Sequence, residues 1–228
     1  MKFLRLFVAF AAGLLLTGVA MAQETPSVEL FGGYTFIHFN GGSGTLPDGG
    51  TPIERALPAL RLSAAPLSGV DPTLTSNIHG GSGSFAYNLN NWFGLAADFG
   101  GSSISTLDLS GVGSADVNST LFTYLFGPRF SYRKNKTFTP FAQVLVGGAH
   151  ITDVTSGGTT LVKGENAFAM TAGGGLDWNV TKGFAVRLAQ VEYLMTRFTD
   201  PFALNGASGT QNNLRVSGGI VFRFGGKK

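Results

Sequence analysis

Residues 121–133 read LFTYLFGPRFSYR, and the alternation within them decides how the chain folds. One parity gives Phe122, Tyr124, Phe126, Pro128, Phe130 and Tyr132. The other gives Leu121, Thr123, Leu125, Gly127, Arg129, Ser131 and Arg133. A period of two belongs to a strand with two different faces. One face here is bulky and aromatic. The other carries smaller residues and, in mid-strand, an arginine.

The same pattern recurs along the chain. Strands are predicted over 27–40, 76–89, 92–106, 119–133, 138–152, 166–180, 184–198 and 211–225. Their connections alternate in length. Asn90-Asn91 reads as a two-residue hairpin turn, since Asn tolerates the positive φ such turns need. Arg133–Thr137 and Thr181-Lys182-Gly183 read as two further tight turns. Longer loops are predicted over 41–75, 107–118, 153–165 and 199–210. Tight turns at one end and extended loops at the other describe an antiparallel up-and-down barrel, and in outer-membrane barrels the tight turns face the periplasm.

The faces decide between a soluble and a membrane barrel. Bulky stripes run through Phe168, Met170, Leu176 and Trp178 and through Leu214, Val216, Ile220 and Phe222, while the opposite parities hold mainly Gly, Ala, Ser and Thr. Small residues suit the narrow interior of eight strands. The bulky face is too large and continuous to be solvated. Lipid accommodates it: apolar side chains outward, a polar set inward, and every backbone group paired in a closed sheet. The fold class is therefore all-β, an eight-stranded transmembrane barrel.

Charges within the strands share the inward parity. Glu29, Asp98, Arg129, Asp177, Arg215 and Arg223 each oppose a lipid-facing stripe, and Gln143 belongs with them. Paired inside a lumen, such charges are tolerable; unpaired they are costly. In the seventh predicted strand Arg187 has one parity and Gln190 and Glu192 the other, so all three face inward only if a bulge lies near Leu188–Ala189. Arg129 is expected within reach of Asp98 or Asp177. Pro128 lacks the N–H that a closed ladder needs, which predicts a bulge there or an unpaired neighbouring carbonyl. Aromatics near the tight turns (Trp92, Phe93, Tyr132, Phe138, Trp178, Phe184, Phe222, Phe224) suggest an interfacial girdle, although strict parity turns Trp92 inward.

The first 22 residues read as a signal peptide. Lys2 and Arg5 precede the apolar run Leu6–Val19, and Ala20-Met21-Ala22 supplies small residues for cleavage before Gln23. The apolar run is short for a membrane anchor, and no cysteine is present for lipid attachment. Residues 23–228 then form one barrel domain. Of 16 basic residues two lie in the leader, leaving 14 against 13 acidic ones. That near-balance excludes the basic excess of a nucleic-acid binder. Loop 41–75 holds five of the nine prolines and the apolar Ile53, Leu57, Leu60 and Leu62, so it reads as a stiffened surface loop.

Together the leader, the start VELFGGYTF (28–36), GPRFSY (127–132), FTPFAQVLVGGAH (138–150), GGGLDW (173–178) and the final VFRFG (221–225) resemble the OmpA-type eight-stranded outer-membrane β-barrel family. The resemblance spans essentially all of residues 23–228. It implies location in the outer membrane, contact with its lipid, and insertion by the barrel assembly machinery. Family members often finish on an aromatic residue; here Phe224 is followed by Gly-Gly-Lys-Lys. No peptidoglycan-binding domain is expected after the last strand.

Other chemistry is thinly represented. His38, His79 and His150 lie near loop-side strand ends without the three or four closely set ligands of a zinc site. No GxSxG arrangement occurs, and the nearest approach to an enzymatic group is His150 with Asp153. The glycine pairs are not followed by helices and do not form phosphate loops. The expected function is that of a non-enzymatic, monomeric barrel without cofactor or metal, serving envelope integrity or a narrow porin-like role with a filled polar lumen formed by Glu29, Asp98, Arg129, Gln143, Asp177, Arg187, Glu192, Arg215 and Arg223. The alternatives are an adhesion or ligand-binding barrel using its extracellular loops and, third, a barrel enzyme acting on lipid.

Overall fold

A computed structural model describes residues 25–40, 74–109, 113–199 and 208–227. Among the described residues ten strands are formed: β1 (Thr25–Asn40), β2 (Leu74–Asn88), β3 (Phe93–Leu109), β4 (Gly113–Ser131), β5 (Phe138–Ile151), β6 (Val154–Ser156), β7 (Thr159–Val162), β8 (Glu165–Asn179), β9 (Phe184–Thr199) and β10 (Ser208–Lys227). Eight of them pair in order, β1-β2-β3-β4-β5-β8-β9-β10, and β10 pairs back onto β1. All pairings are antiparallel, so the sheet closes into a barrel. Closure leaves no long free edge, which is why residues this apolar can present one face outward without pairing with another chain.

Side chains sort by parity. On β4, Phe122, Tyr124, Phe126 and Phe130 are exposed and Leu121, Thr123, Leu125 and Arg129 are buried. At ~3.3 Å per residue and a tilt of ~40°, the stripe from Phe122 to Tyr132 rises about 25 Å, the height of the apolar band on a membrane barrel. At the turn-side rim Trp92, Tyr132, Phe138 and Trp178 are all exposed. Trp92 precedes β3, outside the strand parity, and its ring stacks outward on Phe130 at 6.0 Å.

The tight turns differ from simple two-residue links. Leu89–Trp92 connect β2 to β3, and Asn90 acts through its side chain: Oδ1 accepts from the amides of Trp92 and Phe93 at 3.0 and 2.8 Å. Asn135 caps the next turn in the same way, accepting from Thr137 and Phe138. Two predicted loops are largely strand. β3 and β4 run on through most of 107–118. The predicted loop 153–165 contains the β6–β7 hairpin, turned at Gly157-Gly158 with positive φ. Hydroxyls explain its attachment: Thr152 and Ser156 bond the β4 backbone at Thr120 and Asp116, so β6 continues along β4 after β5 ends. The leader and residues 41–73 lie outside the described residues.

At Pro128 the register is unbroken. Pairing between β4 and β5 stops after Phe126↔Val146 and resumes, in the same register, at Arg129↔Gln143. Tyr132 donates its amide to Pro140 across this seam. Backbone alternation therefore aims the Pro128 nitrogen at the Val144 carbonyl, which it cannot serve. The irregularity is a gap and not a bulge. A true bulge occurs in β9. Gln190 faces Ser217 and Arg187 faces Gly219, one residue out of step, and the same slip appears against β8. Leu188 and Ala189 both point outward as a result, and Arg187, Gln190 and Glu192 all become buried.

Candidate functional site

The barrel interior contains two ionic groups, one above the other. Nearer the tight turns, Arg187 donates from Nε to Asp177 Oδ1 at 2.8 Å and from Nη2 to Oδ2 at 3.3 Å. Arg129 lies 3.6 Å from both Glu29 and Asp177. Arg223 bonds Glu29 at 2.9 Å, reaches Asp177 at 3.4 Å and bonds Asn179. Further from the turns, Arg215 donates to Asp98 at 2.7 Å and to Glu192 at 2.8 Å, while Gln143 donates to the other Glu192 oxygen at 2.8 Å. These side chains come from seven of the eight barrel strands, β1, β3, β4, β5, β8, β9 and β10, so the network braces the barrel across its diameter.

Arg129 meets Asp177 and Glu29, whereas Asp98 belongs to Arg215. The reason is axial: on β3, Asp98 pairs with Leu125, four residues beyond Arg129 along β4, and so lies a layer higher. Four acids, Glu29, Asp98, Asp177 and Glu192, thus face the four strand arginines Arg129, Arg187, Arg215 and Arg223, and the interior is close to self-neutralised. Burial is nearly complete: Asp177 is 0% exposed and Arg129 2%. Charges so far from water persist only when paired in this way.

Several participants escape a charge-based reading of the sequence. Arg133, after the end of β4, turns inward to Glu29 at 3.2 Å and Asn88 at 3.0 Å. Asn88 ties the floor to the start of β1 through the Pro26 carbonyl, and Asn179 ties it to the 132–137 turn through the Lys136 carbonyl. The Arg129 and Arg187 guanidiniums lie 3.8 and 4.4 Å from the Phe141 ring centroid, and Arg187 lies 4.3 Å from Phe31. The signal for each was parity: Phe31 shares it with Glu29, Phe141 with Gln143, and Arg133 with Arg129. Cation–π contact lets an aromatic residue belong inside a charged lumen.

Toward the loops the interior changes character. Ile37, Ile78, Leu121, Leu125, Leu145, Ile151 and Leu194 form one continuous buried cluster, with Ile104, Val117 and Val154 extending it beneath β6. Thr35, hydrogen-bonded to Ser82 and Ser217, lines the β1–β2–β10 side at the border between the two zones. The charged fill therefore occupies the turn-side half, and in the loop-side half aliphatic side chains predominate, with Thr123, Thr171, Thr196 and Asn213 buried among them. In the polar half Arg129 Nε and Nη2, Glu29 Oε2 and Asp98 Oδ2 are buried without a hydrogen-bond partner among the described residues. Their unused capacity suits bound water, which typically satisfies such groups.

The histidine positions are occupied by ordinary contacts. His79 is hydrogen-bonded to Tyr34, with its ring 5.3 Å from that of Phe36. His150 Nδ1 lies 2.9 Å from Asn166, and Asp153 accepts from the Gly164 amide at 2.6 Å. His150 and Asp153 are each used to fix the loop-side end of the wall.

No family model matches the chain, and no curated protein matches it. Solved structures do. Neisserial surface protein A matches with a TM-score of 0.53 at 11% identity, covering 86% of this chain and 97% of that one. The outer membrane protein OprG from Pseudomonas aeruginosa matches with a TM-score of 0.53 at 13% identity, covering 89% and 98%. At such identities the likeness concerns the fold: an eight-stranded barrel of the outer-membrane type.

Proposed function

We propose that this chain is a non-enzymatic barrel of the bacterial outer membrane, related to the OmpA-type family, that serves the envelope as a closed wall element. A single observation carries the reading: buried side chains occupy the interior along its length, paired charges in one half and mainly aliphatic side chains in the other, inside an apolar exterior about 25 Å tall. An open porin would need a continuous polar path, and eight strands leave room only for side chains. Residues 1–22 act as the export signal in this reading, lipid covers the exterior, and the barrel assembly machinery inserts a monomer.

The test is direct. In the membrane fraction the protein should migrate as a compact, heat-modifiable band, and in planar bilayers it should give no large, steady conductance. Ohmic channels at every insertion would refute the closed-wall reading.

A second reading, surface contact, is favoured by the β3–β4 hairpin and β6–β7, which extend the sheet beyond the apolar band and carry exposed Asp116, Asn118, Thr159 and Thr160. Removing residues 154–162 should then abolish cell-surface binding while leaving the heat-modifiable band intact.

A further inference from the structure

The outward faces of β4 and β5 differ sharply in bulk near the tight turns. β4 and the residue after it present Phe130 and then Tyr132, both exposed; β5 presents Pro140 and Ala142. Large beside small makes a step in the wall. Trp92, stacked on Phe130, closes its lower side, and a crevice results, lined by Trp92, Phe130, Tyr132, Pro140, Phe141 and Ala142. Nearly all of its lining is apolar.

The turn adjoining this crevice is basic and fixed. Tyr132 donates to Pro140 at 2.9 Å, Ser131 donates to the Trp92 carbonyl at 2.8 Å, Asn135 accepts from Thr137 and Phe138, and the Lys136 carbonyl accepts from Asn179 at 3.0 Å. Arg133 is directed into the lumen. Lys134 and Lys136 are therefore the cations left outside, both exposed, and neither has an acidic partner among the described residues. None of the connecting segments 89–92, 132–137 and 180–183 contains Asp or Glu. The other turns lack the pair of cations: 89–92 has none, and 180–183 has Lys182 alone.

We propose that this crevice and the Lys134–Lys136 turn form a binding site for one anionic phospholipid of the turn-side leaflet. The inference rests on the membrane reading above. An acyl chain would lie along the step against Phe130 and Pro140, where it replaces poorly packed lipid by close contact. The phosphate would stand at the level where Trp92 and Tyr132 mark the membrane interface. The two lysines, held together by the Asn135 turn, would meet it with little further loss of freedom, and each basic residue near an anionic lipid surface contributes a few-fold to binding.

The chain has two tryptophans, Trp92 and Trp178, so Trp178→Phe leaves a single reporter in the crevice. This protein is reconstituted in phosphatidylcholine vesicles containing a small fraction of either phosphatidylglycerol or phosphatidylcholine with identical brominated chains. Quenching of Trp92 should show an apparent preference for phosphatidylglycerol of about tenfold. Lys134→Gln with Lys136→Gln should bring the ratio to about one, and Lys182→Gln should leave it unchanged. Raising the salt from about 0.05 to 1 M should weaken the preference of the parent, which tests the charge component without a variant. A ratio near one in the parent, or an equal loss in Lys182→Gln, overturns the site. A protein that fails to float with vesicles at all overturns the membrane reading instead.

Discussion

Arg187 grips Asp177 with two donors on one edge of its guanidinium, Nε to Oδ1 at 2.8 Å and Nη2 to Oδ2 at 3.3 Å, and stands directly opposite it across the β8–β9 seam. That alignment exists because β9 bulges at Leu188–Ala189. Without the extra residue, Arg187 and the pair Gln190 and Glu192 could not all point inward.

Asp177 is also within 3.6 Å of Arg129 and 3.4 Å of Arg223, so one carboxylate supports three arginines. Asp177→Asn should lower folding stability by about 3–5 kcal/mol, the cost of leaving buried charge uncompensated. The Asp177→Leu, Arg187→Met double variant should cost less than the sum of its singles. Urea unfolding of the reconstituted barrel, followed by heat-modifiable migration, measures both. Additive single and double effects would mean the pair does not act as a unit.

The β1–β10 seam that closes the barrel depends on glycine at close approach. A Cβ on Gly33 would stand 2.2 Å from the Gly218 carbonyl oxygen, whereas one on Gly32 would meet nothing within 4 Å. Gly33→Ala should therefore cost about 1–3 kcal/mol as an overpacking change, and Gly32→Ala should stay within about 0.5 kcal/mol. Unfolding midpoints of the two variants decide it, and equal effects would contradict the geometry.

Pro128 withholds a donor from the Val144 carbonyl. Pro128→Ala supplies one, worth about 0.5–1.5 kcal/mol, against a loss of about 0.4–1 kcal/mol from a freer unfolded chain. The net expectation is a gain of a few tenths of a kcal/mol. The sharper measurement is hydrogen exchange: the new amide at 128 should be protected like its neighbours in β4. Rapid exchange there would show that the seam is open for another reason.

In the proposed closed barrel, closure toward the loops falls to the aliphatic layer, since a narrow apolar constriction excludes water and ions. Leu145→Ser with Leu194→Ser, both fully buried in the parent, should introduce brief conductance steps in planar bilayers. Asp98→Asn with Glu192→Gln should not, because the aliphatic seal remains. The opposite pattern would place the barrier in the ion pairs.

Much of the wall was legible from alternation. LFTYLFGPRFSYR already separates Phe126 from Arg129, because lipid and lumen impose opposite chemistry on successive residues. The eight barrel strands fall within a few residues of the predicted spans for the same reason. The loops were less legible: strand ends beyond the apolar band lose the lipid-facing signal, so the continuation of β3 and β4 through most of 107–118 left only a polar stretch, and the β6–β7 hairpin is short. The interior was legible in membership but not in partnership. Parity places Asp98, Asp177 and Arg129 inside. It does not give height along the barrel, and height assigns Asp98 to Arg215.

By itself, the sequence determined that this chain closes a sheet with an apolar outside and a charged, small-residue inside, since a period of two with 13% charged residues has few other stable solutions. Tertiary structure alone decided which charges meet, and that Leu125, Leu145 and Leu194 come together in the half of the lumen nearer the loops. Those outcomes depend on strand stagger around a closed barrel. Stagger is set jointly by all eight pairings, so no single strand encodes it.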